Sequence, residues 1–107
     1  MKKNIPKERC VLTFMVKTNL EFMKRYITVL KTLQRKQPQG MRELSEITGY
    51  PQHNIRYSLQ ILEQEGLVEP SIQGAVTTEN IDDIIKRLKH SLSEISTGYN
   101  DLLKTLD

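Results

Sequence analysis

The chain has 107 residues, 37% of them apolar and 27% charged, with a formal net charge of +3. That is the composition of an ordinary globular chain rather than a disordered one, and the length suits one compact domain burying roughly two-thirds of its unfolded surface. A domain this small leaves little room for a deep substrate cleft. No apolar stretch reaches the ~18 residues that a membrane crossing needs, and the run from Val11 to Val16 is too short for a signal peptide and lacks its cleavage site. A cytoplasmic protein with no membrane partner is the expectation.

Catalytic and metal chemistry find no support. The single cysteine, Cys10, reads as a small core residue, and His53 and His90 are the only imidazoles, so no metal-ligand spacing arises. There is no nucleophile with a nearby base, no pair of catalytic carboxylates and no glycine-rich phosphate loop. The expectation is a non-enzyme without cofactors.

Charge is unevenly spread. Residues 1–40 hold ten Lys or Arg against two acids and carry +8, whereas residues 41–78 carry −3 and residues 79–107 carry −2. A basic surface must therefore be built mainly from the first third, including the arm of Lys2, Lys3 and Lys7. That arm lacks apolar anchors, which favours disorder over contact with a ligand.

The first predicted helix starts at Thr18, three residues before Glu21, the spacing of a capping box. Leu20, Met23, Ile27 and Leu30 form one stripe, and Phe22, Tyr26, Val29 and Leu33 the next, giving a wide apolar face. Lys31, Arg35 and Lys36 occupy its last turns, where cations suit the helix dipole, and Gln37-Pro38-Gln39-Gly40 ends it. A second, short helix follows over Met41–Thr48, with Met41, Leu44 and Ile47 as its apolar face, and Gly49 stops it. Pro51 is expected at the first position of a third helix, where its missing N–H is harmless. The inward stripe of that helix is Ile55, Leu59 and Leu62, helped by Ile61, and Gly66 closes it in the left-handed conformation. After Gly66 the period changes. Leu67–Pro70 and Ala75–Thr78 read as short strands around the turn Ser71-Ile72-Gln73-Gly74, with Pro70 confined to an edge or terminal position.

Two short helices across a glycine turn, followed by a two-stranded ribbon, follow the order of a winged helix-turn-helix. The segment from Glu43 through Ile55-Arg56-Tyr57-Ser58-Leu59 to Leu62-Glu63-Gln64-Glu65-Gly66-Leu67-Val68 resembles small prokaryotic winged-helix regulators of MarR/ArsR breadth, archaeal ones most of all. The resemblance covers residues 20–78 and implies that the third helix enters the major groove of double-stranded DNA while the hairpin lies along the backbone or minor groove. Under that implication Gln52, His53, Asn54, Arg56, Tyr57 and Gln60 are the candidate base-reading residues; Arg suits guanine, and Asn or Gln suits adenine. Ser45, Thr48, Tyr50 and Gln73, with Lys31, Arg35 and Lys36, are candidates for the DNA backbone. One departure stands out. Family wings usually carry Arg or Lys at the tip, and Ser71-Ile72-Gln73-Gly74 has neither, so wing contacts should be weak or polar.

The last segment has the most regular pattern. Thr78 is the expected cap, and Ile81, Ile85, Leu88, Leu92, Ile95, Tyr99, Leu102 and Leu106 are spaced alternately four and three apart. That is an unbroken heptad seam. About 28 helical residues extend roughly 40 Å, more than a small domain covers with its own surface. The seam is therefore expected to pair two copies of the chain, with help from the first helix and the Cys10–Val16 run; the spacing suits parallel and antiparallel pairing alike. Packing within one chain is the competing reading, since Gly98 weakens the helix by roughly 1 kcal/mol and permits a bend.

The expected fold is mainly α with a small β-hairpin, a winged helix-turn-helix followed by a long C-terminal coiled-coil helix. Residues 1–17 form a basic arm and apolar segment, 18–78 the winged domain and 79–107 the dimerisation helix. The expected function is that of a homodimeric transcriptional regulator on a palindromic DNA site. The competing reading is a protein-interaction adaptor within a larger complex. No sensor motif identifies a small-molecule effector.

Overall fold

The computed structural model describes residues 11–107. Cys10 and the arm of Lys2, Lys3 and Lys7 lie outside the described residues. The elements follow in the order α1 (Val11–Arg35), α2 (Met41–Thr48), α3 (Gln52–Gln64), β1 (Val68–Ser71), β2 (Gly74–Thr77) and α4 (Ile81–Leu106). This is the winged helix-turn-helix, with a long helix appended.

The first helix is already formed at Val11, so Thr18 is not its start. The Thr18 hydroxyl donates to the Phe14 carbonyl at 3.0 Å, the back-bond of a mid-helix threonine. Local spacing suggested a cap, but the apolar run before Thr18 sustains the helix. Burial deepens toward the other end of α1. Val29, Leu30 and Leu33 are fully withdrawn from water, Met23, Tyr26 and Ile27 are half-buried, and Leu12 is 89% exposed.

The α2 helix has the expected bounds. Glu43 accepts the Gly40 N–H at 3.3 Å, completing the entry side of a capping arrangement, and the Gly49 N–H returns to the Ser45 carbonyl. Leu44 is buried and Met41 half-buried, but Ile47 is 60% exposed, against expectation. Residues three apart precess by about 60° per step around a 3.6-residue helix, so a row of three ends well off the core-facing side. Pro51 stands one position outside α3, at φ −58° and ψ 151°, and its carbonyl accepts the N–H groups of Asn54 and Ile55. The helix closes on Gly66 (φ 79°), whose N–H bonds the Glu63 carbonyl while that of Leu67 bonds Leu62. This double bond pattern, with Leu62 and Leu67 both buried, ends the helix sharply and launches the hairpin.

The strands pair antiparallel in the register Val68↔Thr77 to Ser71↔Gly74, shifted by one residue at each end from expectation. The free side of β2 exchanges two backbone bonds between Ala75 and Gln39, at 2.8 and 3.2 Å, so β1 is the edge strand and tolerates Pro70. Gln37 extends the clasp, its side-chain oxygen accepting the Thr77 N–H at 2.7 Å. Thr78 does not cap α4; its hydroxyl donates to the Gly66 carbonyl at 2.6 Å and Asn80 takes the cap position.

The core joins Val29, Leu30 and Leu33 to Leu44, Ile55, Leu59, Leu62, Leu67, Val68 and Ala75. Ile81, Ile84 and Ile85 of α4 rest against its edge. Beyond them α4 leaves the domain: it has no fully buried residue, and Ile95, Tyr99, Leu102 and Leu106 are 45%, 40%, 61% and 84% exposed. The radius of gyration is 17.4 Å, with extents of 59 × 30 × 20 Å; a compact chain of this length would have a radius near 13 Å. Between α1, α3 and α4 lies an apolar groove of about 450 Å³, lined by Met23, Ile27, Leu30, Ile61, Ile84 and Leu88 among others. No described helix is long and apolar enough to cross a membrane.

Candidate nucleic-acid interface

Ile55, Ser58, Leu59 and Leu62 bury one side of α3. At 100° per residue the opposite side is then set by His53, Tyr57, Gln60 and Gln64, with Arg56 on one flank and Gln52 further round toward the core. All six are exposed. The structure thus brings four expected base-reading residues, Gln52, His53, Arg56 and Gln60, onto one accessible polar face. Asn54 is half-buried at its margin, and its carbonyl accepts the Ser58 hydroxyl at 2.8 Å.

Tyr57 turns toward α1. Its ring lies 6.3 Å from that of Tyr26, and it is 49% exposed. Between these rings sits a guanidinium that the sequence reading counted only as charge. The Arg25 guanidinium carbon lies 5.4 Å from the Phe22 ring centroid, 5.6 Å from Tyr26 and 5.8 Å from Tyr57, within the range of cation–π attraction. Its Nε donates to the Ser58 Oγ at 3.1 Å. Burial raises the Tyr26 phenol above its ordinary pKa, with Tyr57 adding to the shift and Arg25 opposing it. Arg25 stands three residues from Phe22 and one from Tyr26 on α1, whereas Tyr57 and Ser58 belong to a different helix, a juxtaposition that carries no recognisable signature in the chain alone.

The turn between α2 and α3 is held by its own hydroxyls. The Ser45 Oγ donates to the Tyr50 carbonyl at 2.6 Å, and the Thr48 Oγ1 donates to the Leu44 carbonyl at 2.7 Å while accepting the Tyr50 N–H at 3.3 Å. Their protons are therefore committed within the turn. Tyr50 packs half-buried against the core.

The expected backbone cations are less well gathered. Lys31, Arg35 and Lys36 are exposed, but Lys31 and Arg35 each stand two residues from Leu33, roughly 160° around α1 from the side that α3 packs against. Lys36 lies nearer, on the loop whose carbonyl accepts the Gln39 side-chain N–H at 2.7 Å. On the wing, Gln73 and Ile72 are exposed at the tip, and Ile72 is fully so. Among the described residues no group of three His, Cys, Asp or Glu side chains is placed to hold a metal ion.

Residues 27–70 match the family model described as bacterial regulatory protein, arsR family. The matched stretch takes in the buried half of α1, all of α2 and α3, and the first residues of β1. No curated protein matches the chain.

Proposed function

From a chain that carries the winged helix-turn-helix of arsR-type, DNA-binding transcriptional regulators, we propose a homodimer that reads a roughly palindromic duplex site through α3. The observation that carries this reading is the outward side of α3, where Gln52, His53, Arg56 and Gln60 stand exposed together on a helix whose other side is locked in the core. Arg56 offers two parallel donors to a guanine, and Gln52 and Gln60 offer the donor and acceptor pair that suits adenine. Lys36 and the wing-tip Gln73 serve the DNA backbone at short range. Lys31 and Arg35 contribute the longer-range field that draws the duplex in.

Pairing of two chains rests on α4 and the outer half of α1. Ile81, Ile85 and Leu88 already lean on their own domain, so the seam splits: its first half packs within the chain, and Ile95, Tyr99, Leu102 and Leu106 serve a partner copy with Leu92 at the junction. Val11, Leu12 and Met15 on α1, 65–89% exposed, offer further apolar area for the same pairing. Each large apolar side chain withdrawn from water contributes roughly 1.5–3 kcal/mol, so a handful rivals the stability of a whole domain. Residues 18–78 then form the reading unit and 79–107 the pairing helix, with α1 shared between them. Two copies place their α3 helices about one DNA turn apart, or a multiple of it.

A second reading is favoured by the wing and by α2, where the exposed apolar Ile72 and Ile47 stand where cations would serve DNA. Under it the chain is a protein-interaction adaptor. Binding to pooled random duplexes over a salt titration, with the solution mass measured alongside, separates the two. The regulator enriches a palindrome and runs as a dimer; the adaptor shows negligible affinity at physiological salt.

A further inference from the structure

Apolar packing holds two helices together without direction, leaving small rotations about either axis cheap. A hydrogen bond from a planar guanidinium has direction. Arg25 supplies such a bond between α1 and α3. Its Nε meets the Oγ of Ser58, which is 0% exposed and gives its own proton to the Asn54 carbonyl, so the lone pair toward Arg25 is fixed in place. Phe22, Tyr26 and Tyr57 hold the guanidinium on its ring side. Ser58 is two residues past Arg56 and two before Gln60, in the middle of the outward-reading set.

We propose that Arg25 is a positioning residue that fixes the rotational setting of α3 on α1, and so aims Arg56 and Gln60 at base edges without touching a base itself. This rests on the reading of α3 as the DNA-facing helix. A rotation of about 20° carries a side-chain tip at a radius of ~5–6 Å by about 2 Å, enough to break a two-bond contact with a base. Because α1 also carries the outer apolar surface assigned to pairing, the same lock passes the setting of α3 to the partner copy.

The test needs readouts that general loss of stability would not move. Spin labels at Lys17→Cys on α1 and Gln64→Cys on α3, in a Cys10→Ser chain, report the spread of the α1–α3 distance in the folded protein. The expected result is a narrow distribution with Arg25 present and a broadened one in Arg25→Met, which keeps the stem and loses the donors. Ser58→Ala, which removes one oxygen, broadens it as well and carries the test if Arg25→Met fails to fold. Arg25→Lys keeps the charge without the planar fork and does not restore the narrow distribution. In duplex binding, Arg25→Met loses about tenfold in discrimination between a matched and a singly mismatched site, with non-specific affinity and its salt slope unchanged. An unchanged distance distribution in both Arg25→Met and Ser58→Ala overturns the proposal. So does a salt slope lower by about one with the distribution unchanged, which makes Arg25 a phosphate contact instead. Absence of duplex binding by the parent chain overturns the DNA reading, while the distance arm still decides the lock.

Discussion

The backbone of Gly74 is laid against that of Gln39, so closely that a Cβ on Gly74 would stand 2.5 Å from the Gln39 carbonyl carbon and 2.9 Å from the Gly40 nitrogen. Gly74 also sits at φ +133°, where L side chains are rare. The two constraints coincide at the point where the wing is fastened to the loop before α2. Gly74→Ala should therefore cost more than the ~1 kcal/mol of an ordinary glycine substitution, about 2–4 kcal/mol, read as a lowered midpoint in urea. A change below about 0.5 kcal/mol would mean that the wing is not clasped in this way.

Neither Thr18 nor Thr78 caps the helix that spacing assigns to it. Thr18 lies inside α1, so Thr18→Ala should leave stability unchanged or raise it by a few tenths of a kcal/mol, as alanine is the better helix former. Thr78 ties the end of β2 to the end of α3 through Gly66, and Thr78→Val, which keeps shape and loses the donor, should cost about 1 kcal/mol. Thermal unfolding of the two variants side by side checks the order.

The outer half of the α4 seam should govern assembly rather than folding. Leu102→Lys removes an apolar side chain that is 61% exposed in the single chain, so the protomer keeps its helical content. Its mass by light scattering should fall from that of two chains to that of one at micromolar concentration. A dimer that survives in Leu102→Lys combined with Ile95→Lys would place the pairing surface elsewhere.

On a selected duplex, Arg56→Ala should cost about 1–3 kcal/mol at one base position and relax the preference there, as loss of a two-bond guanine contact does. Lys36→Ala should weaken matched and unmatched sites alike and reduce the salt slope by about one. Competition assays at two salt concentrations distinguish the two behaviours.

Tyr26 ionises later than an ordinary phenol because burial disfavours its charged form. The folded state thus holds that proton more tightly than the unfolded state. The contribution is fully present below the ordinary tyrosine pKa of about 10 and is lost as pH rises through the higher folded value. Alkaline spectrophotometric titration of the parent chain against Tyr26→Phe should show one late-titrating phenolate disappear.

The parts of this fold that announce themselves in the chain are those fixed by local chemistry. Met41 to Gly49 marks a short helix and its stop, Gly66 a helix end, and Ser71 to Gly74 a tight turn, and each is found within a residue or so of expectation. What the chain hides is set by partners distant in sequence. Thr18 has the neighbours of a cap and lacks the helix start. Ile47 shares a spacing with Met41 and Leu44, yet the helix has rotated it off the core. Of the exposed face of α3, Gln52, His53, Arg56 and Gln60 follow directly from helical periodicity. The engagement of Tyr57 and Arg25 does not, because it depends on where α1 crosses α3. Where burial along α4 ends, near Leu92, is likewise a matter of how far the globular part reaches, which no heptad count contains.

The drawn-out protomer, 59 Å in its longest dimension and 20 Å in its shortest, has a practical corollary for anyone who purifies it. Rods tumble and sieve as though heavier than they are, so elution volume judged against round standards will overstate size, and one chain will masquerade as two. Only shape-independent weighing, by scattering or sedimentation equilibrium, gives a stoichiometry on which operator geometry can be built.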